Sequence, residues 1–538
     1  MSPIWSDVIS EPKPLTIEDI FLEETMGAPK QLHKKQPFIE INNNSMKDVS
    51  MNNIAEFYKD TTIFITGGTG FVGKALLEKL LRTCYQLDKV YLLVRPKKGN
   101  QGDQRLKELI ANPVFDRIRE KNPEIFSKIY LIPGDMSQPG LGLSANDRNT
   151  LIQQVNLVFH SAATVRFHEN LKDALTLNTL ATKRVLDVCK AMRNLKCFIH
   201  VSTAYSNADK RDIQEIVYNP TRDPEALLNC IDALPENILD EITDKLIGDH
   251  PNTYTFTKSL AEKIVLEYSE YIPCAIVRPS IVTASWKEPF PGWVDNVSGI
   301  TGIMLEVSRG TIKSIICKED LVVDLIPVDV VANTLITAAW HTTAYRSNSM
   351  RVYNCTTGQI SPVSWKKYGT ITECYSLQYP TKYVTLYPGF TYRTNRILHR
   401  MIQTVVQTIP AYIFDHLCIF TKRKRMMVKA CRLFQRMAKT GEFFSLHEFN
   451  FHTPTFQSLL DAVENSEDGA DFTVDMRPEG GFSWDPYVKN YLLGIRKYIL
   501  KDDLSSLPQA KAKLSRLYWA GKILQAVSMY FVLRLALW

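Results

Sequence analysis

Between about residues 60 and 360, short apolar runs rich in β-branched side chains alternate with longer stretches of helical period. The runs at 61–66, 90–94, 129–132, 157–160, 198–201 and 275–277 are too short for helices and apolar on both faces, which marks strands buried on both sides. Helical spacing fills 73–82 and 174–192, and a helix over 329–340 precedes one more strand at 351–355. This alternation predicts an α/β fold, a doubly wound parallel Rossmann-type sheet over 56–360. Residues 1–55 mix Pro, Asn, Lys and Glu without steady period and read as a weakly ordered tail. Beyond 360 the period is helical, over 395–440 and 484–500, which predicts a mainly helical C-terminal domain at 361–505.

Two apolar stretches stand apart. The run at 517–538 carries only Lys522 and Arg534 as charges and just reaches the length of about 20 residues that spans a hydrocarbon core. A hydrophobic membrane-associating segment is therefore expected at 506–538. The run at 404–420 is broken by Pro410, Asp415 and His416 and followed by Lys422-Arg-Lys-Arg425. It fits a buried core helix or an interfacial segment equally well.

Composition narrows the class. With 538 residues, 45% hydrophobic and 22% charged, the chain builds a large core and is not disordered as a whole. A net charge of +7 is modest for this size; it does not point to nucleic acid and suits a phosphorylated cofactor or an anionic membrane. Ten cysteines show neither a C-x-x-C pair nor a metal-like spacing with histidine, so buried thiols and no metal site are expected. The polar N-terminus lacks a signal-peptide core, which places the catalytic part on the cytosolic side.

The first strand runs into Thr66-Gly-Gly-Thr-Gly-Phe-Val-Gly73. Glycines at 67, 70 and 73 allow a tight turn, close approach to a pyrophosphate and close helix packing, with Thr69, Phe71 and Val72 completing the turn. The second strand ends in Arg95, followed by Lys97 and Lys98, where an NAD-binding domain carries a carboxylate. Cations there favour the 2′-phosphate of NADPH. Asp135 and Met136, after the third strand, are placed for the adenine; Ala162 and Ala163, after the fourth, for the diphosphate and nicotinamide ribose. Tyr-x-x-x-Lys occurs three times, at Tyr85/Lys89, Tyr254/Lys258 and Tyr518/Lys522. Only Tyr254/Lys258 opens a long helix between the fifth and sixth strands. There the two share one helical face, and the Lys258 ammonium is expected to lower the phenol pKa and make Tyr254 a proton donor. The partner hydroxyl at the end of the fifth strand is Thr203, with Ser202 as the alternative.

Taken together, Thr66-Gly-Gly-Thr-Gly-Phe-Val-Gly73, Tyr91-Leu-Leu-Val-Arg-Pro96, Ala162-Ala-Thr-Val-Arg-Phe167, Val201-Ser-Thr-Ala-Tyr205, Tyr254-Thr-Phe-Thr-Lys258 and Arg278-Pro-Ser-Ile-Val282 resemble the fatty acyl-CoA reductases of animals and plants. Pro291-Gly-Trp-Val-Asp-Asn296, Asp324-Leu-Ile-Pro-Val-Asp329 and the segment from Tyr487 to Tyr498 extend the resemblance over about residues 60–500. One departure is His168, where the family pattern carries Asp. The resemblance implies an NADPH-dependent reduction of long-chain acyl-CoA to a primary alcohol and CoA, through a hemithioacetal and an aldehyde. It also places Pro279 and Ile281 at the cofactor, and implies work at the endoplasmic reticulum or peroxisomal membrane. Two rival readings share the fingerprint: an extended short-chain dehydrogenase acting on a steroid or nucleotide sugar, and a non-catalytic NADP-binding lipid scaffold.

Overall fold

The computed structural model describes residues 52–96, 102–167, 169–345, 347, 349–420, 425 and 427–536. The N-terminal tail, Lys97, Lys98 and His168 lie outside the described residues.

Seven strands form one parallel sheet: β1 (Thr62–Thr66), β2 (Lys89–Val94), β3 (Ile129–Pro133), β4 (Leu157–His160), β5 (Cys197–Val201), β6 (Cys274–Pro279) and β7 (Arg351–Cys355). Their order is β7-β6-β5-β4-β1-β2-β3, so the expected doubly wound α/β architecture is present. Side-chain alternation explains why the strands read as unbroken apolar runs. In β1, Ile63 and Ile65 enter one core while Phe64 enters the core on the opposite face, and all five residues are buried. Helices α1 (Phe71–Thr83) and α5 (Val328–Ala344) pack together on one side of the sheet, and α2 (Ala181–Lys190) and α3 (Thr253–Tyr268) on the other. The helix expected over 174–192 contains a π-helical turn at Leu175–Leu180.

The C-terminal helices share the core of the sheet. Helix α9 (Trp484–Gly494) packs on α6 (Trp365–Gln378), and Tyr487 donates to the Ala284 carbonyl at 2.7 Å. The Tyr491 hydroxyl meets that of Thr301, on α4 (Ile300–Arg309), at 2.6 Å. Two short parallel pairs add backbone links: Ser314–Ile316 with Thr391–Arg393, and Asp212–Ile213 with Asn450–Phe451. Glycine makes the closest crossing possible. A Cβ on Gly494 would lie 1.7 Å from the Gly292 carbonyl oxygen.

Helices α7 (Ile409–Phe420) and α8 (Met427–Leu446) lie side by side. Of α7 only Ala411, Asp415 and Cys418 are buried, so the run at 404–420 is not a core helix. The long terminal helix α10 (Leu507–Ala536) is also largely exposed. Among the described residues no helix is long and apolar enough to cross a membrane. This corrects the spanning length expected at 517–538: Lys522, Gln525 and Arg534 interrupt the apolar run. All ten cysteines are free thiols, seven of them buried.

Gly494→Ala is expected to cost about 3 kcal/mol by overpacking. Gly441→Ala, in α8 with nothing near its would-be Cβ, gains up to about 1 kcal/mol of helix propensity. Thermal melts of the two variants should move in opposite directions.

Candidate active site

The strand order reverses between β1 and β4, which opens a crevice at the C-terminal edge of the sheet. The predicted site residues that follow β1, β4, β5 and β6 converge there. Gly67 has a φ of +75°, and a Cβ on it would lie 2.6 Å from the Ala162 amide nitrogen. Gly73, one turn into α1, would bring a Cβ to 2.2 Å from the Gly67 carbonyl oxygen. Both positions are closed to any other residue. Gly70 is the N-cap of α1 and no side chain caps the helix, while Thr69 and Gly70 are exposed. The first amides of the helix, those of Phe71 and Val72 included, have no intrahelical partner. A glycine cradle under an uncapped helix N-terminus fits a dinucleotide pyrophosphate.

The flanking turns are ordered by local hydrogen bonds. Arg95 is exposed at the end of β2, and Arg105, from helix Gly102–Ile110, donates to its carbonyl. A second cation, missed from the sequence because it sits ten residues on in a helix, thus stands beside the first. The Asp135 carboxylate accepts from the amide and hydroxyl of Ser137 at 2.9 and 2.8 Å, and Arg184 donates to the Met136 carbonyl at 3.1 Å. After β4, the Ala162 amide donates to the Thr66 hydroxyl at 3.3 Å, and Ala163 follows it in the same segment. His160 links Thr66 to Thr182, and burial first, with the Lys258 charge second, lowers it to about 3, so it is a neutral scaffold residue.

The three Tyr-x-x-x-Lys pairs separate in space. Tyr85 is exposed on the scaffold and Tyr518 lies on the terminal helix α10. Tyr254 is part-exposed in the first turn of α3, and its hydroxyl is hydrogen-bonded to Thr203. The surrounding protein pushes the phenol up to about 12, with the Thr203 bond pulling the other way. That direction differs from the lowering expected of Lys258. The reason is where the ammonium goes: Lys258, fully buried, donates to the Val201 carbonyl at 2.7 Å. Burial lowers Lys258 to about 8, opposed by the Glu262 charge.

Ser202 is engaged elsewhere. Its hydroxyl donates to Glu262 at 2.5 Å, and Glu262 is bound by Arg278 through two bonds of 2.9 and 2.6 Å. Both charged side chains are at most 1% exposed. Of the two hydroxyls after β5, Thr203 is the one that meets Tyr254. Pro279 ends β6, and Ile281 opens the short strand Ile281–Thr283 and packs against the aromatic cluster around Tyr205.

Two further positions at the site were not legible in the sequence. Asn178, buried in the π-helical turn, accepts from the Thr164 amide at 2.9 Å and donates to the Thr257 hydroxyl at 3.0 Å. It ties the loop after β4 to the residue beside Lys258; among the threonines around it in the chain, nothing in the sequence singled it out. Phe444, near the end of α8, lies 5.8 Å from Phe167, which stacks on Tyr254 at 5.5 Å. Sequence separation hid that contact.

The fold and site define an extended short-chain dehydrogenase/reductase with a helical C-terminal region. Two models described as male sterility protein match, an NAD-binding one over residues 65–335 and a Sterile one over 406–502. Fatty acyl-CoA reductase 1 of Rattus norvegicus is 39% identical over 467 residues, 87% of this chain and 90% of that protein. Fatty acyl-CoA reductase 2 of Bos taurus is 38% identical over the same shares. Among solved structures, the reductase domain of a nonribosomal peptide synthetase from Mycobacterium tuberculosis superposes with a TM-score of 0.55 at 17% identity, over 84% of this chain and 96% of that one, which speaks for the fold alone. The chain belongs to the fatty acyl-CoA reductase family, and its cofactor is a nicotinamide dinucleotide.

Glu262→Gln leaves Arg278 buried without a counter-charge and is expected to cost about 3–5 kcal/mol. Ser202→Ala removes one hydrogen bond to a charged group, about 1.5–3 kcal/mol. Denaturant unfolding of both variants should rank them in that order.

Proposed function

We propose that the protein reduces long-chain fatty acyl-CoA to a primary fatty alcohol and CoA at the expense of two NADPH. The observation that carries this reading is the Thr203–Tyr254–Lys258 arrangement at the mouth of a glycine-cradled crevice, beside an aromatic wall to which α8 contributes Phe444. Bound NADPH supplies the hydride in each of the two reductions. Gly67, Gly70, Gly73 and the first amides of α1 would hold its pyrophosphate, and Arg95 with Arg105 its 2′-phosphate. Asp135 and Met136 would face the adenine, Ala162, Ala163, Pro279 and Ile281 the nicotinamide half. Lys258, fixed on the Val201 carbonyl, keeps its remaining N–H donors for the nicotinamide ribose.

In the first reduction the thioester carbonyl oxygen gains negative charge as its carbon takes hydride. Thr203 hydrogen-bonds that oxygen and Tyr254 gives it a proton, leaving a hemithioacetal. Collapse releases CoA as the thiol and leaves the aldehyde. In the second reduction the same two groups serve the aldehyde oxygen, and the alcohol results. Phe167, Tyr205 and Phe444 offer an apolar wall beside the reacting carbon, which suits an acyl chain better than a sugar nucleotide. Association with a membrane of the endoplasmic reticulum or peroxisome, catalytic face to the cytosol, agrees with the exposed Trp519, Ile523, Leu524 and Leu533 of α10.

Detergent-solubilised protein given palmitoyl-CoA should oxidise two NADPH per hexadecanol formed, and NADH should serve poorly. Tyr254→Phe should lower kcat by about 10²–10⁴-fold. Equal turnover by wild type and variant, or one NADPH per accumulated aldehyde, overturns the proposal in the corresponding step. Because Lys258 is lowered to about 8, its ammonium is present below that pH and lost above it. The pH profile of kcat/KM should therefore fall on its alkaline side near pH 8.

A further inference from the structure

The segment 396–446 carries a charge and an apolar surface that the reaction does not use. It holds ten Lys and Arg against two Asp and Glu, a net +8, where the whole chain is +7. The protein's positive excess is therefore confined to this one segment. Its two acids are engaged: Asp415 accepts from the amides of Met427 and Val428 at the start of α8, both at 3.0 Å, and Glu442 pairs with Arg396 at 2.6 Å. Among the described residues, Arg400, Arg425, Lys429, Arg432 and Arg436 form no salt bridge, and all five are exposed. Lys429, Arg432 and Arg436 recur every three or four residues on α8, which sets them along one face. Arg425, Lys429, Arg432 and Arg436 border a cavity of about 590 Å³ closed on the α7 side by Tyr412, Asp415 and His416.

The same segment exposes Ile397, Val405, Ile413, Phe414, Leu417 and Phe420, the last at 85%. Apolar exposure of this extent on a folded protein marks an interaction surface. Its composition selects the partner. A second copy meeting this face across a twofold axis would bring two sets of unpaired cations together. An anionic lipid surface offers what both features need, phosphates for the cations and an acyl boundary for the aromatic and branched side chains.

We propose that helices α7 and α8 dock the enzyme onto an anionic bilayer, with the apolar residues of α7 in the headgroup–acyl boundary and the cations of α8 on lipid phosphates. For its consequence the inference rests on the reductase reading. Helix α8 carries Phe443 and Phe444 in its last turn, and Phe444 lies 4.9 Å from Tyr205 and 5.8 Å from Phe167, the ring stacked on Tyr254. One helix thus runs from the lipid-facing cations to the wall of the active site, and an insoluble product leaves the site beside the membrane that dissolves it.

The test floats full-length protein with phosphatidylcholine vesicles, with and without phosphatidylserine, at low and high salt. Wild type is compared with Ile413→Glu/Phe420→Glu and with Lys429→Glu/Arg436→Glu. The expected result is wild-type binding that rises with phosphatidylserine and falls with salt, and a loss of about tenfold or more in both variants. Their melting temperatures and detergent-assayed NADPH oxidation should match wild type. Vesicle binding equal to wild type in both variants overturns the proposal and leaves α10 as the anchor. Binding indifferent to headgroup charge overturns it as well, and so does a change of oligomeric state in place of a change in flotation. Absence of turnover in detergent would count against the reductase reading alone, since flotation is scored independently.

Discussion

The active-site geometry depends on one buried ion pair. Arg278, at the C-terminal end of β6, and Glu262, one turn beyond Lys258 on α3, are withdrawn from water together. Burying two charges is tolerated only when their donors and acceptors are matched, and here four of the five guanidinium N–H groups and both carboxylate oxygens are. Glu262 takes both Arg278 bonds and the Ser202 hydroxyl, and the guanidinium also donates to the carbonyls of Gln214 and Ile216 at 2.9 and 2.7 Å. The pair therefore fixes the depth of α3 against β5 and β6, and so sets how far Lys258 reaches toward the Val201 carbonyl and where Tyr254 meets Thr203. It also anchors the loop that leads away from the site.

That loop joins the sheet to the C-terminal helices. Glu215, between the two carbonyls held by Arg278, accepts from the amide of Asn354 on β7 at 2.8 Å and from those of Thr455 and Phe456, at the start of helix Pro454–Glu464. Burial pushes its carboxyl up to about 7, while those amides pull it back down. The C-terminal region is thus built into the wall of the site. This explains how Phe444, some 190 residues from Tyr254 in the chain, comes to face the same ring, Phe167.

Much of this was legible before any coordinates. Strands buried on both faces advertise themselves as short, unbroken apolar runs, and the glycine spacing after β1 records close backbone approaches that a Cβ would block. Choosing Tyr254/Lys258 among three identical spacings needed only the order of strands and helices. Placing Thr203 ahead of Ser202 has no physical ground in the sequence alone, because the ground is Glu262, a residue that reads as an ordinary helix-surface charge until Arg278 is brought against it. The phenol of Tyr254 also behaves differently from a two-residue argument. Its neighbour's ammonium is turned to a backbone carbonyl, so burial dominates.

The sequence alone determined what depends on local period and residue type: the alternating strands and helices, the cradle, the Tyr–Lys pair, the basic segment after 395. Tertiary structure alone decided which hydroxyl faces Tyr254, that Asn178 and Arg105 stand at the site, that Phe444 walls it, and that α7 lies on the surface with its apolar residues exposed. The physical reason is the same in each case. Hydrogen bonds, ion pairs and burial are relations between residues far apart in the chain, and periodicity carries information only about neighbours within a turn or a pleat.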